Sequence, residues 1–117
     1  MTELTLYHNP RCSKSRAALE LLQARGLAPR VVPYLETPLD ATAIGLLLGQ
    51  LGLGPRQLLR SGETVYKDLG LGDPGLDDAH LIAAMAAHPI LIERPILVHG
   101  ERAVIGRPAE NILELLP

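Results

Sequence analysis

The stretch YHNPRCSKSR, residues 7–16, decides how this chain is read. It follows ELTLY, residues 3–7, where β-prone residues alternate with polar ones, and Asn9-Pro10 then forces a turn. From Lys14 the run KSRAALELLQAR sets Ala18, Leu21, Leu22 and Arg25 at helical spacing, with Ser13 as the N-cap and Gly26 as the stop. The single cysteine of the 117-residue chain, Cys12, therefore lies where a strand ends and a helix begins.

Further along, RVVPYLE (30–36) reads as a second strand, and Pro33, which has no N–H for the ladder, marks it as an edge strand. Strand, helix, strand implies a right-handed βαβ unit with both strands parallel. Asp40 caps a helix through about Gln50 that Gly52 closes, and residues 52–76 are Gly-rich and loop-like, with a short helical turn around Pro55 to Leu59. Asp77 or Asp78 then caps AHLIAAMAAH, which must stop at His88 because Pro89 follows. RPILVHGERAVIG (94–106) gives two strands joined at His99-Gly100-Glu101, and Arg107-Pro108 opens AENILELL with proline at its first helical position. This order predicts a single domain over residues 1–117: an α/β, thioredoxin-like fold with a four-stranded mixed sheet and a helical insertion at about 40–88.

Composition narrows the function classes. Apolar residues make up 47% and aromatics 3%, with no Trp or Phe, so the core is built of Leu, Ile, Val and Ala and a base-stacking platform is not expected. The net charge of −2 is interspersed along the chain, which leaves no footprint for nucleic acid or an anionic membrane. No segment reaches the ~18 apolar residues of a membrane span, and the start shows no basic stretch followed by an apolar one. One cysteine forms no internal disulfide and suits a reducing compartment, so the expected location is the cytoplasm. Nine of the eleven basic residues are arginine, a skew that fits either oxyanion forks or a GC-rich genome.

A cysteine at a helix N-terminus faces unpaired backbone N–H groups and the positive end of the helix dipole, and both favour the thiolate. His8, Arg11, Lys14 and Arg16 add positive potential nearby, and Ser13 or Ser15 is within reach to donate to sulfur. His8 either tunes the thiol or hydrogen-bonds the turn. A buried, inert Cys is the commoner fate of a lone thiol, but the polar neighbours of Cys12 favour a nucleophile. Position 15 is serine, so the chain cannot close its own disulfide, and a two-electron reduction needs a thiol from elsewhere: glutathione and a glutaredoxin are the natural candidates. Arg60, Arg94 and Arg107 stand out as guanidinium groups suited to tetrahedral oxyanions, and Arg94, ahead of the hairpin, is expected to point at Cys12. His80, His88 and His99 have no ligand spacing, so no metal site is expected, and no bound cofactor either.

HNPRCSKSR, YLETPL, LLRSGE, LGL, HPILIERPI and GRPAENILELLP, in that order from about residue 5 to the last residue, resemble the glutaredoxin-coupled arsenate reductase (ArsC) family. The resemblance implies that Cys12 attacks arsenate, that Arg60, Arg94 and Arg107 bind the oxyanion, that His8 and Ser15 tune the thiolate, and that Arg94-Pro95 is cis. It also implies glutathione as co-substrate and glutaredoxin as partner, with arsenite as product. Well-characterised members carry Cys-Gly-Thr-Ser where this chain has Cys12-Ser13-Lys14-Ser15. Two other functions compete: a glutathione-linked thiol transferase, which needs Cys12 but not three arginines, and a redox-responsive regulatory protein that binds RNA polymerase, whose usual Cys-x-x-Cys switch Ser15 interrupts.

Overall fold

A computed structural model describes residues 3–116; Met1, Thr2 and Pro117 of the expected 1–117 domain lie outside the described residues. Two compact units emerge. One takes the chain up to Thr37 and again from Arg94, and the other is Pro38–Glu93, slightly wider than the insertion expected at about 40–88.

The first unit is built on β1 (Leu4–His8), β2 (Arg30–Pro33), β3 (Ile96–His99) and β4 (Arg102–Ile105), ordered β2-β1-β3-β4. β1 runs parallel to β2, with His8 opposite Pro33, and antiparallel to β3; β3 and β4 form the antiparallel hairpin. Pro33 lies on an edge, as its missing donor requires. β2 ends there rather than at Glu36, because the Glu36 and Thr37 N–H groups both turn back to the Pro33 carbonyl at 2.9 Å. The mixed sheet, parallel on one side of β1 and antiparallel on the other, is that of a thioredoxin-like α/β fold.

Helix α1 (Ser13–Ala24) presents Ser15, Ala18 and Leu22 to the interior, an i, i+3, i+7 stripe. Leu21 is half-buried and Arg25 exposed, so the inward face is narrower than the sequence spacing suggests. The helix ends in a Schellman motif: Gly26, at φ 74, donates to Gln23 and Leu27 donates to Leu22 at 3.0 Å. Leu6, Ala18, Leu22, Leu97, Ile112 and Leu115 form the core.

Ile112 and Leu115 belong to Ala109–Leu115, a 3₁₀ helix and not the α-helix expected there, and Pro108 precedes it as the cap instead of opening it. Period explains the difference: Ala109, Ile112 and Leu115 recur every three residues, and three residues per turn stacks all three over the core.

In the second unit, α2 (Ala41–Leu51) is capped by Asp40, whose side chain accepts the Ala43 N–H, and closed by Gly52. α3 (Pro55–Leu58) is the expected short turn. α4 (Thr64–Asp68) falls within the stretch read as loop; none of its residues is buried, so it carries no apolar stripe to betray it. α5 (Asp78–Ala87) is capped by Asp77 and gives way to a 3₁₀ turn, Pro89–Leu91. Its core includes Ile44, Leu47, Leu58, Leu71, Leu81, Met85 and Leu91. No helix among the described residues is long and apolar enough to cross a membrane.

Leu22 is fully buried at the centre of the first unit's core. Leu22→Ala is expected to cost about 2–5 kcal/mol, read as a lower urea midpoint with an unchanged slope.

Candidate active site

The turn between β1 and α1 is tied from within. Asn9, buried, accepts the Arg11 N–H on its side-chain oxygen at 3.0 Å, and its backbone carbonyl accepts the Cys12 N–H at 3.0 Å. Arg16 Nη1 closes the outer side by donating to the Pro10 carbonyl at 2.9 Å. The same turn buries Ser15 completely, and its Oγ accepts the Asn9 N–H at 3.0 Å. Ser15 Oγ also lies 2.7 Å from His8 Nδ1. The Asn9 contact uses one lone pair of the hydroxyl oxygen and leaves its proton and second lone pair for the contact with Nδ1. Burial lowers the His8 pKa, the Arg16 charge lowers it further, and the contact with Ser15 opposes both; the ring is neutral at pH 7.

Cys12 itself is the N-cap of α1, at φ −97 and ψ 122, a place the sequence assigned to Ser13. This one-residue shift carries chemical weight. Helical N–H groups near the start have no partner in the helix, and with Cys12 at the cap those of Lys14 and Ser15 are directed at its sulfur. Ser15 thus serves the thiolate through its backbone, while its hydroxyl is spent on His8 and Asn9.

Arg94 completes the surroundings of the sulfur. Burial is the largest influence on the Cys12 pKa and raises it, but the Ser15 N–H, the Arg94 hydrogen bond, the Lys14 N–H and the Arg94 charge together outweigh burial, so the thiol pKa falls below its ordinary value. The guanidinium keeps further donors: Nε and Nη1 of Arg94 are buried with no hydrogen-bond partner among the described residues. Arg107 lies alongside, its Nη1 reaching the Arg94 carbonyl at 3.5 Å, and its own carbonyl accepts from Asn111 Nδ2 at 3.2 Å. The Arg94-Pro95 and Arg107-Pro108 bonds are both cis.

Of the expected site residues, then, Cys12, Ser15, His8, Arg94 and Arg107 belong to one unit and form one connected set. Arg60 belongs to the other unit, where Glu63 and Glu93 hold its guanidinium at 3.3 and 3.4 Å. Asn9, which the sequence offered only as a loop former, proves to hold the turn from both sides of its backbone. Among the described residues no group of three or more His, Cys, Asp or Glu is placed to hold a metal ion.

A cysteine at a helix cap with its pKa drawn below the ordinary value, beside an arginine with open donors, on a thioredoxin-like sheet, is an arrangement suited to a thiolate nucleophile. The ArsC family matches residues 7–115, and the chain belongs to that family. It is 49% identical over 117 residues to a protein of Neisseria meningitidis named arsenate reductase, covering 99% of this chain and 100% of that one. A protein of Escherichia coli K12, YfgD, is 50% identical over 115 residues, 97% of each chain. Among solved structures, one named arsenate reductase from Vibrio cholerae superposes with a TM-score of 0.96 at 50% identity, covering 98% of each chain.

The electrostatics around Cys12 carry a measurable consequence. Its rate of alkylation by iodoacetamide, followed against pH, is expected to rise with a midpoint below that of an ordinary cysteine. In Arg94→Gln, which loses both the charge and its hydrogen bond to sulfur, the midpoint should move upward; an unchanged midpoint would remove Arg94 from the account of the thiolate.

Proposed function

We propose that this chain reduces arsenate to arsenite, with Cys12 as the nucleophile. The observation that carries this reading is the pair of buried, unpartnered N–H donors on the guanidinium that also touches the Cys12 sulfur. Leaving such donors unmet costs roughly 1–3 kcal/mol or more for a charged group, so a ligand that brings acceptors to them is favoured. A tetrahedral oxyanion supplies acceptor oxygens to such donors, and its charge grows as the thiolate attacks. That the anion is arsenate is supported by the names of the Neisseria meningitidis and Vibrio cholerae relatives.

The chemistry follows from counting thiols. Cys12 displaces an oxygen from As(V), which leaves as water after protonation, and arsenic stays As(V) in the thiol-arsenate adduct. Glutathione then joins the adduct; a sulfur–sulfur bond forms between Cys12 and glutathione, and arsenic keeps the electron pair of the broken As–S bond and departs as arsenite. One cysteine per chain supplies only half of the two electrons, so the second thiol comes from glutathione, and glutaredoxin frees Cys12 from the mixed disulfide. His8 and Ser15 act upstream of the chemistry by holding the turn whose N–H groups face sulfur. Arg107 lies next to Arg94 and shares the oxyanion, whereas the part of Arg60 rests on the family resemblance alone. A reducing, cytoplasmic setting suits a protein that depends on one free thiol.

Arsenate-dependent NADPH oxidation, coupled through glutathione, glutaredoxin and glutathione reductase, tests the reading. Wild-type protein should turn over, Cys12→Ser should not, and Arg94→Ala and Arg107→Ala should each lose roughly tenfold to a thousandfold in rate. Full turnover in both arginine variants would overturn the oxyanion assignment. No wild-type turnover, with Cys12 still forming a glutathione mixed disulfide at neutral pH, would leave a glutathione-linked thiol transferase.

A further inference from the structure

Beyond the C-terminal ends of β1 and β2, which run side by side in parallel, lies a cleft of about 190 Å³. The crevice outside the carboxyl ends of neighbouring parallel strands is where open α/β sheets bind ligands. At roughly 30 Å³ per water, the volume matches one amino-acid-sized group and not a whole tripeptide. Pro10, Pro33 and Leu35 give it an apolar lining, and Arg11 and Glu36 bring one cation and one anion to it.

Both charges ride on backbone that is already fixed. The Arg11 N–H is bonded to the Asn9 side chain at 3.0 Å, and the Glu36 N–H to the Pro33 carbonyl at 2.9 Å. Neither side chain takes part in the ion pairs formed among the described residues, which involve Arg60, Glu63 and Glu93. A lining with one positive and one negative residue, both on anchored backbone and both open to a ligand, complements a group that carries a carboxylate and an ammonium on the same carbon. The turn that carries the thiol forms part of the cleft wall, since Asn9, Pro10 and Arg11 line it up to the residue before Cys12, and His8, also on the wall, holds Ser15.

We infer that this cleft binds the γ-glutamyl head of glutathione, with its carboxylate on Arg11 and its ammonium on Glu36, while the cysteinyl part of the peptide extends to Cys12. The inference rests on the proposed function for its choice of thiol peptide. It extends that reading by giving the co-substrate a site separate from the arginine that takes the oxyanion.

Thiol-disulfide exchange tests it without arsenate. Cys12 thiolate attacks glutathione disulfide, forming the Cys12-glutathione disulfide and releasing one glutathione thiolate. The rate is divided, for each variant, by its rate with iodoacetamide, which corrects for changes in thiolate content. The comparison disulfide is that of glutaryl-cysteinylglycine, which lacks only the ammonium group. Wild type should prefer glutathione disulfide over this analogue by roughly two- to fivefold, the contribution of an exposed ion pair. Glu36→Gln should abolish that preference, because the variant and the analogue remove the two halves of one contact. Arg11→Gln should slow both disulfides by a similar factor and leave the preference intact. Both residues are exposed, so neither substitution threatens folding. If wild type shows no preference, or if Glu36→Gln retains it, the cleft is not the site. Arsenate turnover without the preference would sink this inference alone; the preference without arsenate turnover would sink the arsenate reading and leave the cleft standing.

Discussion

The hydroxyl of Ser15 is fully buried between His8 Nδ1 and the Asn9 N–H, and the geometry of the site depends on that small knot. It joins the last residue of β1 to the first turn of α1, so the helix cannot rotate or slip relative to the sheet without breaking a buried hydrogen bond. With the helix pinned, Cys12 occupies the cap and the N–H groups of Lys14 and Ser15 face its sulfur. Ser15 also heads the stripe that continues through Ala18 and Leu22, so core packing and thiolate geometry are set by the same face of one helix.

The second determinant is an imbalance. Cys12 is partly buried, which by itself would hold the proton on sulfur, and only the sum of two backbone donors and Arg94 reverses that. Arg94 is in turn over-supplied with donors: it hydrogen-bonds the sulfur and keeps buried N–H groups on Nε and Nη1 with no partner among the described residues. A site that satisfied all its groups internally would have nothing left to bind an anion; here the deficit sits beside the nucleophile. By contrast, Arg60 is largely neutralised by Glu63 and Glu93, so three arginines alike in the sequence have different electrostatic standing.

Much of this was legible in the residues. The strand-turn-helix around Cys12, the edge position forced by Pro33, the Asp40 cap and the hairpin before Arg107 all follow from local rules, because each depends on a proline, glycine or capping side chain acting on its neighbours. What escaped was set by three-dimensional context. Ser13 has the better capping side chain, yet the Asn9 turn hands the cap to Cys12. The three-residue period of Ala109, Ile112 and Leu115 was visible but is easily mistaken for part of an α-helical pattern, since position i+3 is shared by both. α4 has no buried residue, so no apolar period marks it. The glutamate partners of Arg60 could not be foreseen at all for Glu93, which lies 33 residues away.

The most direct test of the central claim, that the open donors of Arg94 are the oxyanion site beside the nucleophile, is a crystal structure of the protein after exposure to arsenate. The account predicts arsenic bonded to the Cys12 sulfur, with an oxygen within hydrogen-bond distance of Arg94 Nε or Nη1. An arsenate bound away from Arg94, or an Arg94 whose Nε and Nη1 are met by protein acceptors while arsenic is bound, would contradict it.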